Sequence, residues 1–529
     1  MPVASAFPPG FAVVSAIILL SLTCYLRSVI LWRRRTRGRP LPPGPRRLPI
    51  IGSFLDMPTV RPWGGLRDLC NEYGSDIIYL RTPGQDNIIL GSAAAVSEVM
   101  EQRTANSSDR LVGPMVRLSG NEWTLGLIPY GQTWRDYRRA LWQHFHPGAI
   151  VKYRPAQQAI VPLFLKKLLD EPEGFKQHIQ FVFSATLLKV VYGIDIDDGD
   201  HEIVHDIRDA VEGISEAFVP GRFLVDYIPW LEYVPAWFPG AGFQKKFATW
   251  RAKQVVLTNA PFQQRNTSLC KGDYVMPSCV TVINQLLSGT TKRDNVDAAY
   301  WDNLIKSVAA VVYEAGADTS VATMQSAFLA MSLYPEVQRK AQAELDRVVG
   351  CDRLPDFDDL DSLVYIHAIV KESLRWHTVT PLGIPHRTMK DDIFRGYFFP
   401  AGSVLIANVW ACMHDADVYQ DPDEFRPDRF IRGGRIDPGV LDPSTIVFGA
   451  GRRICPGRYF AESMLLLNMA SALHVFEISA PVDDDGNPIR IHPSMTDGEL
   501  SYLEDCRCTV KPRFPEAAAL IDRELAGIR

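Results

Sequence analysis

The sequence contains little cysteine for its length and no excess of positive charge. Nine cysteines occur among 529 residues, an odd number without the paired spacing of zinc ligands. The formal net charge is −5, whereas a nucleic-acid-binding domain usually carries a strongly basic surface. These absences exclude a scaffold held together by disulfides, and they argue against nucleic acid as a partner.

The chain also lacks internal repeats and low-complexity stretches. With 47% hydrophobic and 22% charged residues, its composition is that of a folded globular protein. A chain of this length buries a core large enough to house a cofactor. Apolar periodicity indicates mostly helices, with short strand-like stretches at 77–80 and 88–90. We therefore expect one domain that reads mostly as helices, spanning residues 41–529.

Residues 1–40 contain a long apolar stretch, which runs from 11 to 32 with Arg27 as its interruption. This length spans a bilayer if the Arg27 side chain snorkels to the interface. Arginines follow at once, and by the positive-inside rule they stay cytoplasmic: Arg33, Arg34, Arg35, Arg37 and Arg39. A cleaved signal peptide is the alternative, but no basic residue precedes the apolar run. The pattern predicts a single-pass anchor in the endoplasmic reticulum membrane, with the catalytic domain in the cytosol.

The ten residues 448–457, FGAGRRICPG, place Cys455 where a helix is predicted to begin. Backbone N–H groups and the helix dipole at such a position stabilise a thiolate. Glycines in the loop, such as Gly449, allow the backbone to approach a large flat ligand. Phe448 can shield the sulfur, and Arg453 can bind an anionic substituent. A lone cysteine is more often a small buried hydrophobe, so the hypothesis depends on the loop as a whole.

This loop resembles the cysteine loop of the cytochrome P-450 family, the haem-thiolate monooxygenases. It matches the family at these positions: Phe448, Gly451, Arg453, Cys455 and Gly457. The resemblance implies that residues 41–529 form a catalytic domain with the cytochrome P-450 fold, which is mainly α with a small β-rich lobe. The same resemblance implies haem b as cofactor and Cys455 as the axial ligand of its iron. It also implies that Phe448, Gly449 and Arg453 line the cofactor site. Further matches occur in the family's order from about Pro42 onward.

A second segment, AGADTS at 315–320, lies in a helical pattern that runs from about 301 to 334. By itself the pattern is typical of a buried helix with small residues for close packing. Gly316 and the Thr319 hydroxyl, which can bond back to the Ala315 carbonyl, are able to distort the helix locally. The segment resembles the distal helix of the family. The resemblance implies that Asp318 and Thr319 supply protons during oxygen activation, and Ser320 replaces a threonine common at that position.

Glu372 and Arg375 lie one helical turn apart in KESLR. Such a pair is usually a solvated surface contact worth little. Downstream, Arg429 lies in the aromatic setting FRPDRF. Together the two segments resemble the Glu-Arg-Arg triad of the family, which implies that Glu372, Arg375 and Arg429 have a structural rather than a catalytic role.

Trp134 and Arg138 share one face of a predicted helix, and His386 lies in the stretch GIPHR. An indole N–H and a guanidinium are suitable donors to a carboxylate. Matching residues of the family bind a haem propionate, so the resemblance implies that role for Trp134, Arg138 and His386. Arg387 is the alternative to His386.

Residues 217–250 are unusually rich in aromatic and other large apolar side chains, which include Phe218, Phe223, Tyr227, Trp230, Leu231, Tyr233, Trp237, Phe238 and Phe243. Core packing accounts for part of this composition. The position is similar to that of the family's lid region, which implies contact with the membrane and entry of lipophilic substrates from the bilayer.

The resemblance implies a monooxygenase that receives electrons from NADPH through NADPH-cytochrome P-450 reductase, with cytochrome b5 as a second electron donor. The stretch PAWFPG at 235–240 is similar to fungal microsomal members of the family. We therefore expect hydroxylation of a lipophilic small molecule in secondary metabolism, with a terpenoid-type scaffold favoured over a polyketide, an indole or an aromatic xenobiotic. A haem-thiolate isomerase or dehydratase that needs no O2 is the alternative of another class, and the Asp318-Thr319 pair argues against it. A third alternative is a membrane-anchored binding protein without catalytic activity.

Overall fold

The computed structural model describes residues 9–196, 222–271 and 298–527, together with residues 204–205, 210, 213, 216–217 and 279–280. In these parts of the chain the α-helices are α1 Pro9–Thr36, α2 Pro62–Glu72, α3 Ala93–Val96, α4 Thr104–Ser107, α5 Pro114–Ser119, α6 Gln132–Phe145, α7 Pro147–Ile150, α8 Arg154–Asp170, α9 Phe175–Tyr192, α10 Gly242–Lys271, α11 Ala298–Leu333, α12 Pro335–Val348, α13 Phe357–Leu360, α14 Val364–Trp376, α15 Val409–Met413, α16 Ser444–Val447, α17 Arg458–Val475 and α18 Ala517–Ala526. The strands are β1 Ile77–Thr82, β2 Gln85–Leu90, β3 His386–Arg387, β4 Asp392–Phe394, β5 Tyr397–Phe399, β6 Val404–Ala407, β7 Ile431–Arg432, β8 Arg435–Ile436, β9 Phe476–Ser479 and β10 Thr509–Pro512. The fold is mainly α with small sheets, as the sequence predicts.

The largest described sheet has four strands in the order β1-β2-β6-β3. Strands β1 and β2 form an antiparallel hairpin, β2 pairs with β6 in parallel, and the short β3 pairs antiparallel with β6. Most residues of β1 and β2 are buried because apolar clusters cover both faces of the sheet. Since successive residues of a strand point to opposite faces, β3 directs His386 and Arg387 to opposite sides of the sheet.

Helix α11 passes through the helical body and packs against α9, α14 and α17. Its sequence is rich in alanine, valine and leucine, and the helix is apolar around most of its circumference, which is typical of a buried helix. The helix ends at Leu333 because Pro335 disfavours helical geometry at Tyr334 and then begins α12. The helix predicted at about 301–334 is confirmed, and it carries the AGADTS segment at its middle.

The N-terminal segment forms α1, a helix of 28 residues. Its last turn contacts the catalytic body: Arg35 donates two hydrogen bonds to Asp391, of 2.9 and 2.6 Å, and Trp32 packs edge-on against Phe398. Among the described helices, none combines the length and the apolar character required to cross a membrane. The predicted membrane anchor is therefore not confirmed, and residues 1–8 lie outside the described residues.

Candidate functional site

The loop that precedes α17 holds Cys455 as a free thiol that is neither fully buried nor fully exposed. Its backbone N–H donates to the Phe448 carbonyl at 2.7 Å, which closes the loop. Removal from water raises the pKa of the thiol, while the N–H groups of Gly457 and Arg458 and the guanidinium groups of Arg138 and Arg458 favour the thiolate. Helix α17 begins at Arg458 with Gly457 as its N-cap, as predicted. The thiol therefore lies where a helix N-terminus and positive charge stabilise an anion.

Two glycines determine the shape of this loop. Gly449 and Gly451 adopt φ angles of +77° and +59°, a region that other residues rarely occupy. A side chain at position 451 would also collide with the protein, because its Cβ would lie 2.2 Å from the Met100 carbonyl oxygen. The loop is thereby held against the π-helical turn Ser97–Gln102.

Beside the loop lies a group of positively chargeable side chains that we call the basic cluster: Arg110, Arg138, His386 and Arg453. Arg453 donates to the carbonyls of Ser108 and Ile128 at 2.8 and 2.9 Å, and Arg138 donates to the Ile454 carbonyl at 2.5 Å. Arg110 donates to the carbonyls of Gly126, Ile384 and Pro385. Backbone carbonyls thus fix the arginines without neutralising them.

The basic cluster contains no ion pair in the described part of the chain. No member forms an ion pair with a described carboxylate, although Asp109 and Glu499 act on Arg110 at longer range. Burial, and then repulsion from Arg453, lowers the pKa of Arg110 far below its usual range. Burial also lowers the pKa of Arg453 to about 10. A buried cluster of this kind is stabilised by a ligand that carries negative charge.

Trp134 packs among the arginines of the basic cluster. It is buried on α6, and the guanidinium carbons of Arg138 and Arg453 lie 5.8 and 4.9 Å from the centroid of its ring. The sequence reasoning found Trp134, Arg138 and Arg453 but missed Arg110. Arg110 lies in an irregular segment between α4 and α5, where no local periodicity marks it.

The structure separates His386 from Arg387. His386 is buried beside Arg110 and Arg453, and both burial and these arginines lower the pKa of its imidazole. Its Nδ1 lies 2.7 Å from the Ser107 carbonyl oxygen, so Nδ1 is the donor. Arg387 points away, since its guanidinium packs near Gly402, and its buried Nε has no hydrogen-bond partner. His386, rather than Arg387, therefore belongs to the basic cluster.

At the middle of α11, the Thr319 hydroxyl donates to the Ala315 carbonyl at 2.7 Å, as predicted. The helix nevertheless stays α-helical through this segment, so the expected distortion does not interrupt it. Gly316 serves close packing, because a Cβ there would lie 3.1 Å from Leu187 of α9. Burial raises the pKa of Asp318 to about 7. The Tyr502 hydroxyl contacts this carboxyl, and the sequence reasoning missed Tyr502 because it lies on a distant C-terminal loop.

The structure brings Glu372, Arg375 and Arg429 together, and we call these three residues the Glu372 network. Glu372 and Arg375 on α14 are fully buried and share two hydrogen bonds of 2.8 Å. Arg429 donates from Nε to the same carboxylate at 3.2 Å. The remaining donors of Arg375 bind the carbonyls of Met413, Pro422 and Glu424. The pair that looks like a surface contact in the sequence is part of the core.

The aromatic segment divides into a packed and an exposed half. Phe223, Leu231 and Phe243 pack against a small cluster that includes Phe247 and Trp250. Four other members, among them Trp237 with 79% of its surface exposed, face solvent: Trp230, Tyr233, Trp237 and Phe238. Phe218 lies outside the described residues. The ring of Tyr227 packs on Phe54, which joins this segment to residues 48–60, where Ile50 is 95% exposed.

The residues around Cys455 fit a haem. In the described part of the chain, no group of three or more His, Cys, Asp or Glu side chains is arranged to hold a bare metal ion. A lone thiolate instead suits a metal that arrives with its other ligands, as the iron of haem does. The basic cluster suits the two carboxylate substituents of haem b.

Comparison with known proteins gives one consistent result. The family model for cytochrome P-450 matches residues 42–501. The cytochrome P-450 monooxygenase COX2 of Coprinopsis cinerea is 37% identical over 488 residues, which cover 92% of this chain and 92% of that protein. The tryptamine 4-monooxygenase of Psilocybe cyanescens is 38% identical over 488 residues, 91% of this chain and 95% of that protein. The cytochrome P-450 monooxygenase ple1 of Rhodocybe pseudopiperita is 37% identical and covers 91% of each chain.

These matches extend over nearly the whole chain, and the residues around the cysteine loop fit haem b. The enzyme therefore uses haem b and NADPH-derived electrons from a separate reductase, and the chain belongs to the cytochrome P-450 family of monooxygenases.

Proposed function

We propose that this enzyme hydroxylates a lipophilic small molecule with a terpenoid-type scaffold in fungal secondary metabolism. The observation that carries the proposal is the Cys455 thiol at the start of α17, beside a buried basic cluster. The relatives named above are fungal monooxygenases and span the same length of chain. The exposed aromatic side chains around Trp237 support a lipophilic substrate that reaches the enzyme from a membrane.

In this proposal the Cys455 sulfur would hold the haem iron, and Trp134 and the arginines of the basic cluster would bind the haem carboxylates. Bound there, haem supplies reductive activation of O2 and transfer of one oxygen atom to the substrate. Phe448 and Gly449 shape the protein side of the sulfur, and Gly457 and Arg458 donate N–H groups to it. The Glu372 network holds α14 against the segment that leads to the cysteine loop.

The proton supply is assigned to Asp318 and Thr319. An Asp318 carboxyl with a pKa of about 7 exchanges a proton readily at neutral pH. The Tyr502 hydroxyl contacts Oδ2 of this carboxyl and holds it in place. The Thr319 hydroxyl donates to Ala315, which leaves its oxygen free to accept a hydrogen bond.

The ligand assignment is tested by replacing the cysteine. The carbon monoxide difference spectrum of the reduced wild type should show the band of a thiolate-ligated haem, and Cys455→Ser should abolish it. Cys412→Ser, which changes a buried cysteine of the β lobe, is the matched control and should keep the band. A thiolate band that persists in Cys455→Ser would refute the assignment.

The reaction is tested by co-expressing the chain with NADPH-cytochrome P-450 reductase and feeding terpenoid and indole substrates. The indole is the second candidate because one relative is a tryptamine 4-monooxygenase. A hydroxylated terpenoid that forms only with NADPH and O2 supports the proposal. Conversion without NADPH would indicate an isomerase or dehydratase instead.

The surface of α6 supports a proposal for the electron-transfer partners. Arg135 and Arg139 are exposed on the helix that carries Arg138, and a basic surface near the cysteine loop suits an acidic electron-transfer protein. We assign NADPH-cytochrome P-450 reductase to this surface, with cytochrome b5 as a second donor. Raising the ionic strength should slow the reduction of the haem by the reductase. The slowing should be greater in the wild type than in the double variant that carries Arg135→Gln and Arg139→Gln.

The localisation proposed is the endoplasmic reticulum membrane, with residues 1–40 as a single-pass anchor and the catalytic domain, residues 41–529, in the cytosol. Support comes from the apolar run at 11–32, the arginines after it and the exposed side chains around Trp237 and Ile50. In vesicles with brominated lipids, Trp237→Phe should remove part of the lipid-quenched fluorescence of the full chain. Trp142→Phe, which changes an exposed tryptophan on α6, should not. Equal quenching in both variants would contradict membrane contact at Trp237.

A further inference from the structure

Among the residues that the structure describes, two neighbouring buried acceptors between α10 and α11 have no hydrogen-bond partner. Glu314 is 6% exposed and Gln254 is 2% exposed, and the Oε1 atom of each has no hydrogen-bond partner. The Gln254 Nε2 donates to the Ala210 carbonyl at 3.3 Å, and the Gln254 side chain also lies within hydrogen-bonding reach of Glu314. Leaving a buried polar atom unpaired costs about 1–3 kcal/mol, so two adjacent cases suggest that a ligand completes the site.

The position of Glu314 on α11 relates this pair to the chemistry. It immediately precedes Ala315, whose side chain is exposed although α11 is otherwise largely buried. It also lies four residues before Asp318, which places the two carboxyl groups on adjacent turns of one helix face, about 6 Å apart along the axis. A small molecule that lies against Asp318 on this face of α11 is therefore within reach of Glu314.

The pair has the hydrogen-bonding character of a site for a neutral polar group. Burial raises the pKa of Glu314 to about 8, partly offset by the Gln254 amide, and no cation contributes. At neutral pH the carboxyl thus keeps its proton and can donate as well as accept. A hydroxyl group matches both functions, because it can donate to Gln254 Oε1 and accept from Glu314. An ammonium group would require an ionised carboxylate in a buried position, which carries a large desolvation penalty.

We propose that Glu314 and Gln254 bind a hydroxyl group of the substrate, so that the enzyme acts on a lipophilic alcohol rather than on the parent hydrocarbon. This inference rests on the proposed function, oxygenation of a lipophilic scaffold. The reaction that supplies the substrate must then have introduced a hydroxyl group, either by an earlier oxygenation or by water capture of a carbocation. The enzyme therefore acts after the first oxygen has entered the scaffold.

The test compares rigid alcohols with their hydrocarbons. The probes are two pairs, adamantane with 1-adamantanol and cedrene with cedrol. The dissociation constant of each probe is measured from the shift of the haem Soret band when it binds to the holoenzyme. The wild type should bind at least one alcohol about 10-fold more tightly than its hydrocarbon, the usual range for one buried hydrogen bond. The preference should fall to within about 2-fold in Glu314→Leu and shrink in Gln254→Leu. Tyr313→Phe, which removes the buried hydroxyl of the preceding residue, is the matched control and should keep the preference.

Three results would overturn the proposal. They are the absence of any alcohol preference in the wild type, a preference unchanged in both leucine variants, and a Glu314-dependent preference for 1-aminoadamantane over 1-adamantanol, which would identify a cation site. The binding preference of a variant is compared with that of the wild type only if the reduced carbon monoxide complex of the variant keeps the thiolate band. If Glu314→Leu does not fold, the preference measured for Gln254→Leu decides the test. Equal binding of alcohols and hydrocarbons would remove this inference but leave the proposed function standing, because that function is tested by product formation.

Discussion

In the Glu372 network one buried carboxylate faces two arginines, whereas in the basic cluster three arginines and a histidine face no paired carboxylate. Both groups also bind backbone carbonyls: Arg375 binds those of Met413 and Pro422, and Arg453 binds those of Ser108 and Ile128. The carbonyls orient the guanidinium groups in both places. Among the described residues, the Glu372 carboxylate forms ion pairs with both of its arginines, whereas the basic cluster contains no ion pair.

This difference separates a part of the structure that is complete in the protein chain from a part that is completed by the cofactor. The Glu372 network needs no ligand, so its contribution should be present with or without haem. The basic cluster is electrostatically unfavourable by itself, because burial and mutual repulsion lower the pKa of Arg110. Its stabilisation should therefore depend on the haem carboxylates.

The largest effect is expected for Glu372→Gln. Two arginines would lose their carboxylate in a fully buried position, which typically costs about 3–5 kcal/mol of unfolding free energy. The loss should be the same in the haem-free protein and in the holoenzyme, as measured by denaturant unfolding. Asp170→Asn, which breaks an exposed pair with Lys166 of 2.8 Å, is the control and should cost less than about 1 kcal/mol. A similar cost for both variants would contradict the assignment of Glu372 to a structural role.

A smaller effect on folding, but a clear effect on the cofactor, is expected for Arg110→Met. The change removes a repelled buried charge but leaves carbonyls of Gly126 and Ile384 without a donor. These contributions oppose each other, so the unfolding free energy of the haem-free protein should change by no more than about 1 kcal/mol. Haem should dissociate about 10- to 100-fold faster, since a charge-assisted hydrogen bond is worth about 1.5–3 kcal/mol.

The rate at which Arg110→Met loses haem is measured by transfer of the haem to an excess of apomyoglobin. The transfer is monitored by absorbance. Haem whose two carboxylates are esterified sharpens the comparison. With this ligand the wild type and Arg110→Met should lose haem at similar rates, because the charge that Arg110 would bind is absent. A difference that persists with the ester would show that Arg110 acts through packing instead.

Local spacing in the sequence placed some residues of the site on one face or at one end of a predicted helix, whereas their expected roles came from the family resemblance. Trp134 and Arg138 lie four residues apart on α6, Glu372 and Arg375 lie three apart on α14, and Cys455 lies at the start of α17. Helical periodicity is sufficient for such pairs. The bounds of the long helix α11 followed from the same signal.

Contacts between distant segments could not be predicted in this way. Arg110 reaches the basic cluster from an irregular segment, Tyr502 reaches Asp318 from 184 residues away along the chain, and Gln254 meets Glu314 from another helix. Such encounters depend on tertiary packing, which leaves no periodic signal in one segment. The aromatic segment illustrates the same limit, because composition did not show that Phe243 packs while Trp237 is exposed.

The smallest effect is expected for His386→Leu. Because Nδ1 donates to the Ser107 carbonyl and burial lowers the pKa of the imidazole, we expect Nε2 to carry no proton and to donate no hydrogen bond to a haem carboxylate. The variant should therefore destabilise the fold by about 1 kcal/mol through the unpaired Ser107 carbonyl. It should change the rate of haem transfer by less than about 3-fold, far less than Arg110→Met does. Arg387→Leu, on the opposite face of β3, should leave that rate unchanged. If His386→Leu instead released haem as fast as Arg110→Met, the imidazole would have to be doubly protonated in the holoenzyme, and the haem carboxylates would then compensate the histidine as well as the arginines.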